Sequence, residues 1–84
     1  MTKIAIIGQG YVGLPLSLIF SEANITVLAL DVDERKIEQL RSGQSYIRHI
    51  QADRILQAVN QKTFIPTNDF SEICEAEAVL ICVP

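Results

Sequence analysis

Apolar and polar positions fall along this chain in two kinds of block. Three runs are apolar without alternation: Ile4-Ala5-Ile6-Ile7, Val27-Leu28-Ala29-Leu30 and Ala78-Val79-Leu80-Ile81-Cys82-Val83. Such runs suit strands of a parallel sheet covered on both faces. Between them lie stretches with helical spacing. Leu14, Leu16, Leu18, Ile19 and Phe20 make the first of these apolar nearly all round, which predicts a well-buried helix starting near Tyr11. Pro15 falls near its first turn, where a missing N–H costs little, and Asn24 is placed to end it in a left-handed conformation. Asp33 is placed to cap a second helix reaching about Arg41, with Ile37 and Leu40 turned to the sheet and Gly43 beyond its end. Residues 43–50 read as a loop. A third helix is expected over residues 51–61, with Ile55, Leu56 and Val59 on one face. Phe64-Ile65-Pro66-Thr67 reads as a short strand that Pro66 confines to a sheet edge. Ser71 is expected to cap a single helical turn through Cys74, and the final apolar run to form another buried strand.

The junction of the first strand and first helix carries the candidate chemistry. It reads Gly8-Gln9-Gly10-Tyr11-Val12-Gly13, and Asp31 follows at the end of the second strand, 18 residues past the last glycine. Alone, a Gly-x-Gly-x-x-Gly run is a weak signal; between a strand and a helix, with an acid at the next strand end, it is a strong one for dinucleotide binding. Gly8 allows a tight turn, Gly10 leaves room for a pyrophosphate to approach the backbone, and Gly13 lets the helix lie close to the sheet. The helix N-terminus offers free N–H groups and the positive end of its dipole to a phosphate. Asp31 can accept hydrogen bonds from both hydroxyls of an adenosine ribose and would repel a 2′-phosphate, which favours NAD over NADP.

These elements imply an α/β chain: a Rossmann-type parallel sheet, partial, of about four strands in the order 3-2-1-4, with helices on both faces. A ligand would lie at the carboxyl ends of the strands, where Gly8, Asp31 and Val83-Pro84 fall. Eighty-four residues make at most one small domain, and a bare apolar strand at the chain's end is an aggregation hazard, so the chain is expected to be part of a longer protein. The net charge of −3 supplies no basic field for nucleic acid or an anionic membrane. No run approaches the roughly 18 apolar residues of a membrane span, and no signal peptide is visible, so a cytoplasmic location is expected. Cys74 and Cys82 lack metal-ligand spacing and are expected to be reduced, buried thiols.

The run Gly8-Gln9-Gly10-Tyr11-Val12-Gly13-Leu14-Pro15 is more particular than a generic dinucleotide turn. With Asp31, Lys36, Gly43-Gln44-Ser45-Tyr46-Ile47 and the closing Ile81-Cys82-Val83-Pro84, it resembles the N-terminus of the UDP-glucose/GDP-mannose dehydrogenase family over the whole chain. Tyr46-Ile47-Arg48-His49-Ile50 is similar to members acting on UDP-N-acetylglucosamine or UDP-N-acetylmannosamine. The resemblance implies oxidation of a sugar C6 alcohol to a carboxylate in two steps with two NAD molecules, an activity of polysaccharide biosynthesis. It also implies a dimer or larger assembly, and a cysteine nucleophile in a Gly-rich motif far downstream with a Lys and an Asp. That motif is not in this chain, and neither Cys74 nor Cys82 has a matching context, so no catalytic and no metal-binding residue is assigned. Carried over residue by residue, the resemblance gives Gly8, Gln9, Gly10, Tyr11, Val12 and Gly13 to the pyrophosphate turn. It gives Asp31 to the adenosine ribose, Lys36 to the surroundings of the adenosine, and Val83 and Pro84 to the loop passing the cofactor. His49 could face a substrate or a partner subunit, or be a plain loop residue, and Tyr46 could equally be a packing residue. Residues 1–84 would then be the N-terminal part of an NAD-binding Rossmann domain, with the end of that domain and the central dimerisation and UDP-sugar-binding domains elsewhere in the enzyme. Two other readings remain: the cofactor half of another β-hydroxyacid-type dehydrogenase, and a non-catalytic NAD-sensing module.

Overall fold

The computed structural model describes residues 2–83. The chain runs β1 (Lys3–Ile7), α1 (Gly13–Glu22), β2 (Thr26–Leu30), α2 (Glu34–Arg41), α3 (Ala52–Asn60), β3 (Phe64–Thr67), a 3₁₀ helix (Phe70–Glu75) and β4 (Ala78–Ile81). All strand pairs are parallel, and the spatial order is β3-β2-β1-β4, as the pattern of elements predicts. Ile4 lies beside Val27 and Ala78, and Val27 beside Phe64, so these four share one face.

That face is closed by the three α-helices. Leu14 and Leu18 of α1, Leu40 of α2, and Ile55 and Ala58 of α3 pack with Ala29, Phe64, Ile47 and Ile50 into one buried cluster. The α1 stripe is narrower than its composition suggests. Leu14, Ser17, Leu18 and Ser21 are buried at helical spacing, whereas Ile19 is 57% exposed. The two serines do not leave polar groups stranded. Ser17 Oγ donates to the Gly13 carbonyl at 2.7 Å, and Ser21 Oγ shares a 2.6 Å hydrogen bond with Thr63 Oγ1. The opposite face, with Ala5, Leu28 and Leu30, is covered by Phe70 and Ile73 of the 3₁₀ helix and by Ala76 just after it.

The helix ends follow local chemistry. Asn24 takes the left-handed conformation, φ 64°, just past α1. Asp33 caps α2 by accepting the Arg35 N–H at 3.0 Å, and Ile37 and Leu40 are buried as expected. Five expectations are corrected. Helix α1 starts at Gly13, not near Tyr11, because residues 11 and 12 form a turn that precedes it. Leu56 of α3 is 44% exposed, and Ala58 takes the inward position beside Ile55. The 3₁₀ helix is capped by Asp69, not by Ser71. The Asp69 carboxylate accepts the Ser71 N–H and hydroxyl, at 3.0 and 2.6 Å, which holds its carboxyl below the ordinary aspartate range. Finally, β4 is not a buried strand. It pairs only with β1 among the described residues, and Val79 and Ile81 stand 44% and 70% exposed. The thiols follow it: Cys74 is exposed and Cys82, just past β4, is half-buried, and both are free.

Candidate functional site

The carboxyl ends of β1, β2 and β4 open onto a cleft of about 650 Å³. Its walls include Gly8, Gly10, Tyr11, Val12, Asp31 and Lys36, with Phe70 from the 3₁₀ helix and Cys82 and Val83 beyond β4. The topology makes this opening: β1 sends its connection to one side through α1 while β4 arrives on the other, so the two connections part above the sheet.

The glycines shape the cleft in three different ways. Gly8 sits at φ +97°, in the left-handed region, and a Cβ there would meet the Cys82 carbonyl oxygen at 2.8 Å. A Cβ on Gly13 would lie 1.6 Å from the Gly8 carbonyl oxygen, so only glycine lets the first turn of α1 rest on the strand end. At Gly10 a Cβ would meet nothing within 4 Å. Its lack of a side chain serves no contact inside the protein; it leaves space on the cleft side.

The helix end beside this space is bare. Val12, at the N-cap of α1, makes no side-chain cap, and the first turn holds no acid. Of the other two helices, α2 is capped by Asp33 and has Glu34 in its first turn, while α3, whose N-cap Gln51 makes no side-chain cap either, has Asp53 in its first turn. The Leu14 N–H is taken by the Gly10 carbonyl at 3.1 Å, the Leu16 N–H by the Val12 carbonyl at 3.2 Å, and Pro15 has none, so what this end offers an anion is chiefly the positive end of its dipole.

Asp31 does more than the sequence indicates. Its Oδ2 accepts the Gln9 N–H and its Oδ1 the Asp33 N–H, each at 2.9 Å. The carboxylate thus ties the glycine turn to the start of α2, while each oxygen keeps lone pairs for a ligand hydroxyl. Gln9 is fully buried. Its Nε2 donates to the Ile6 carbonyl at 2.9 Å, and its Oε1, 3.1 Å from Ser17 Oγ, shares the one proton of that hydroxyl with the Gly13 carbonyl. Its side chain braces the turn from beneath and does not line the cleft; Gly13 is also buried under it. Lys36 lines the cleft with its ammonium 5.6 Å from the centre of the Tyr46 ring. Of the sequence-assigned residues, Gly8, Gly10, Tyr11, Val12, Asp31, Lys36 and Val83 come together around the cleft. Pro84 lies outside the described residues. His49 is exposed on its loop and does not line the cleft.

Sequence reasoning left Tyr46 undecided and did not single out Ser17 or Phe70. The Tyr46 hydroxyl donates to the Gln9 carbonyl, a contact made across 37 positions of sequence. Burial first, and the nearby Asp31 and Asp33 carboxylates second, push its phenol above the ordinary tyrosine range. No periodicity could have revealed this contact. A tyrosine among polar loop residues, where packing alone would accept a phenylalanine, is the one trace it leaves.

The model of the UDP-glucose/GDP-mannose dehydrogenase family, NAD binding domain, matches residues 2–84. A UDP-N-acetyl-D-mannosamine dehydrogenase of Methanococcus maripaludis is 32% identical over 98% of the chain, and a UDP-glucose 6-dehydrogenase of Bacillus subtilis is 36% identical over 95%. Those stretches are 19% and 18% of the two relatives, so the chain spans about a fifth of the length of the curated relatives it matches. The crystal structure of a ternary complex of GDP-mannose dehydrogenase from Pseudomonas aeruginosa superposes with a TM-score of 0.90 at 28% identity, over 96% of this chain and 19% of that one. With the strand order, the glycine turn and the acid at the end of β2 already in place, the chain belongs to the UDP-glucose/GDP-mannose dehydrogenase family, as its NAD-binding domain.

Proposed function

We propose that this domain holds NAD across the carboxyl ends of its strands for an enzyme that oxidises the C6 alcohol of a UDP-sugar to a uronate. The observation that carries the reading is the space at Gly10, bordered by an uncapped helix end on one side and by Asp31 and Lys36 on the other. The Gly10 N–H and the positive end of the α1 dipole take the pyrophosphate, and Gly8, whose N–H is held by the Leu30 carbonyl at 2.7 Å, shapes the turn beneath it. The remaining lone pairs of Asp31 take the adenosine ribose hydroxyls, and its charge disfavours a 2′-phosphate. Lys36 lies beside the adenosine, with Tyr11, Val12 and Val83 along the rim. Gln9 and Gly13 act from below, by holding the turn. Bound NAD supplies the hydride acceptor; the residues of this chain bind and orient it.

The sugar is proposed to be a UDP-N-acetylhexosamine. The Tyr46-Ile47-Arg48-His49-Ile50 segment and the relatives named as UDP-N-acetyl-D-mannosamine dehydrogenases support that choice over UDP-glucose. A cytoplasmic, dimeric or larger enzyme of polysaccharide biosynthesis fits the same reading. Among the described residues no helix is long and apolar enough to cross a membrane.

Calorimetry on the full-length protein tests the cofactor assignment. NAD is expected to bind about tenfold or more tightly than NADP. Gly10→Val, whose Cβ would meet nothing within 4 Å in the folded chain, is expected to abolish NAD binding without lowering Tm. Binding that survives this substitution would place the ligand elsewhere. NADH formation across a set of UDP-sugars tests the substrate, and faster turnover of UDP-glucose than of UDP-N-acetylhexosamines would reverse the choice.

A further inference from the structure

Every polar group of Gln9 is engaged. Its N–H goes to Asp31, its side-chain amide to Ile6 and Ser17, and its carbonyl accepts from Tyr46. The first three partners belong to the β1-α1-β2 unit or its end. The fourth comes from the 43–50 loop, outside that unit. The Gln9 carbonyl belongs to the same peptide plane as the Gly10 N–H, and in a trans peptide the two point in opposite directions. A carbonyl held from the loop side therefore turns the Gly10 N–H the other way, and Gly10 lines the cleft where no Cβ stands.

We infer that Tyr46 is a positioning residue for dinucleotide binding: by holding the Gln9 carbonyl, its hydroxyl sets the orientation of the Gly10 amide toward the pyrophosphate. The inference rests on the NAD reading of the cleft. It also connects the 43–50 loop to the cofactor through the Gln9–Gly10 peptide. Lys36, which lines the same cleft, lies over the Tyr46 ring at 5.6 Å, so both ends of the loop–cleft contact converge on one side chain.

Tyr46→Phe keeps the ring and its packing and removes only the donor. In the full-length protein, NMR and calorimetric titrations with NAD, ADP and adenosine separate positioning from general loosening, because adenosine has no pyrophosphate. The expected result is a dissociation constant raised about 3- to 10-fold for NAD and ADP, the scale of one neutral hydrogen bond, with adenosine unchanged. Affinities unchanged for all three ligands would overturn the inference. Equal weakening of all three would also overturn it, by showing that the hydroxyl only stabilises the loop. If the unsubstituted protein bound neither NAD nor ADP, the NAD reading itself would fall and take this inference with it.

Discussion

The two faces of this sheet make different use of similar strands. On the face carrying Ile4, Ile6, Val27, Ala29 and Phe64, three α-helices close over the strands and the central residues are almost wholly buried. On the other face the described cover is one 3₁₀ helix, which reaches Leu28 and Leu30 but leaves Val79 and Ile81 of β4 open. The sequences of β1 and β4 do not announce this difference, since both are unbroken apolar runs. An apolar strand reports that cover is needed; where the cover lies is decided by which helices the connections send to which face. The site follows the same division. Its rigid parts, Gln9, Ser17 and Gly13, belong to the closed side, and its accessible parts, Gly10, Tyr11, Val12 and Val83, border the open cleft.

Two glycines of one turn give the sharpest expected contrast. Gly13→Ala places a methyl group 1.6 Å from the Gly8 carbonyl oxygen, backbone against backbone. No rotamer change relieves that clash, so α1 must lift from the strand end, at a cost of about 3 kcal/mol. Gly10→Ala meets empty space within the chain and is expected to change stability by no more than about 0.5 kcal/mol. Urea unfolding of the two variants checks the pair. Similar losses would mean that the turn has no closed and open sides.

A second contrast compares the faces directly. Leu18 of α1 is fully buried, and Leu18→Ala is expected to cost about 2–5 kcal/mol through lost burial and a residual cavity. Ile81 is 70% exposed, and Ile81→Ala is expected to stay within about 0.5 kcal/mol in the 84-residue chain. A loss of 2 kcal/mol or more at Ile81 would show that something in solution covers the β4 face.

Much of this arrangement was legible in the residues, and the failures share one cause. Strand order, edge position of β3, the Asp33 cap and the Asn24 terminator follow from local chemistry or from chirality, which a sequence displays directly. The glycine turn was legible because three positions and a distant acid must agree. What was misjudged depends on neighbours far along the chain. Burial of β4 needs a covering element, and the inward turn of Ala58 in place of Leu56 depends on how α3 meets its partners; the cap at Asp69, two residues before Ser71, is the one local exception. Asp31 was assigned to a ligand alone because its backbone partners, Gln9 and Asp33, are hidden until the turn is folded. Tyr46 was left undecided for the same reason.

The smallest expected effect concerns that tyrosine and sharpens the boundary between the closed and open sides. Burial and the Asp31 and Asp33 charges make the phenol hold its proton more tightly in the folded chain than in the unfolded one. Its contribution to stability is therefore complete below the ordinary tyrosine value of about 10 and is lost as the pH rises through the higher folded-state value. Between about pH 8 and pH 10.5 the stability of the unsubstituted chain relative to Tyr46→Phe is expected to fall by up to about 1 kcal/mol, less where water reaches the ring edge. Contributions common to both proteins cancel in the difference. Urea unfolding at the two pH values measures it. A difference that stays constant would mean that the Tyr46 hydroxyl meets water as freely as the residues of the open rim, and the closed side of the site would then end at Gln9.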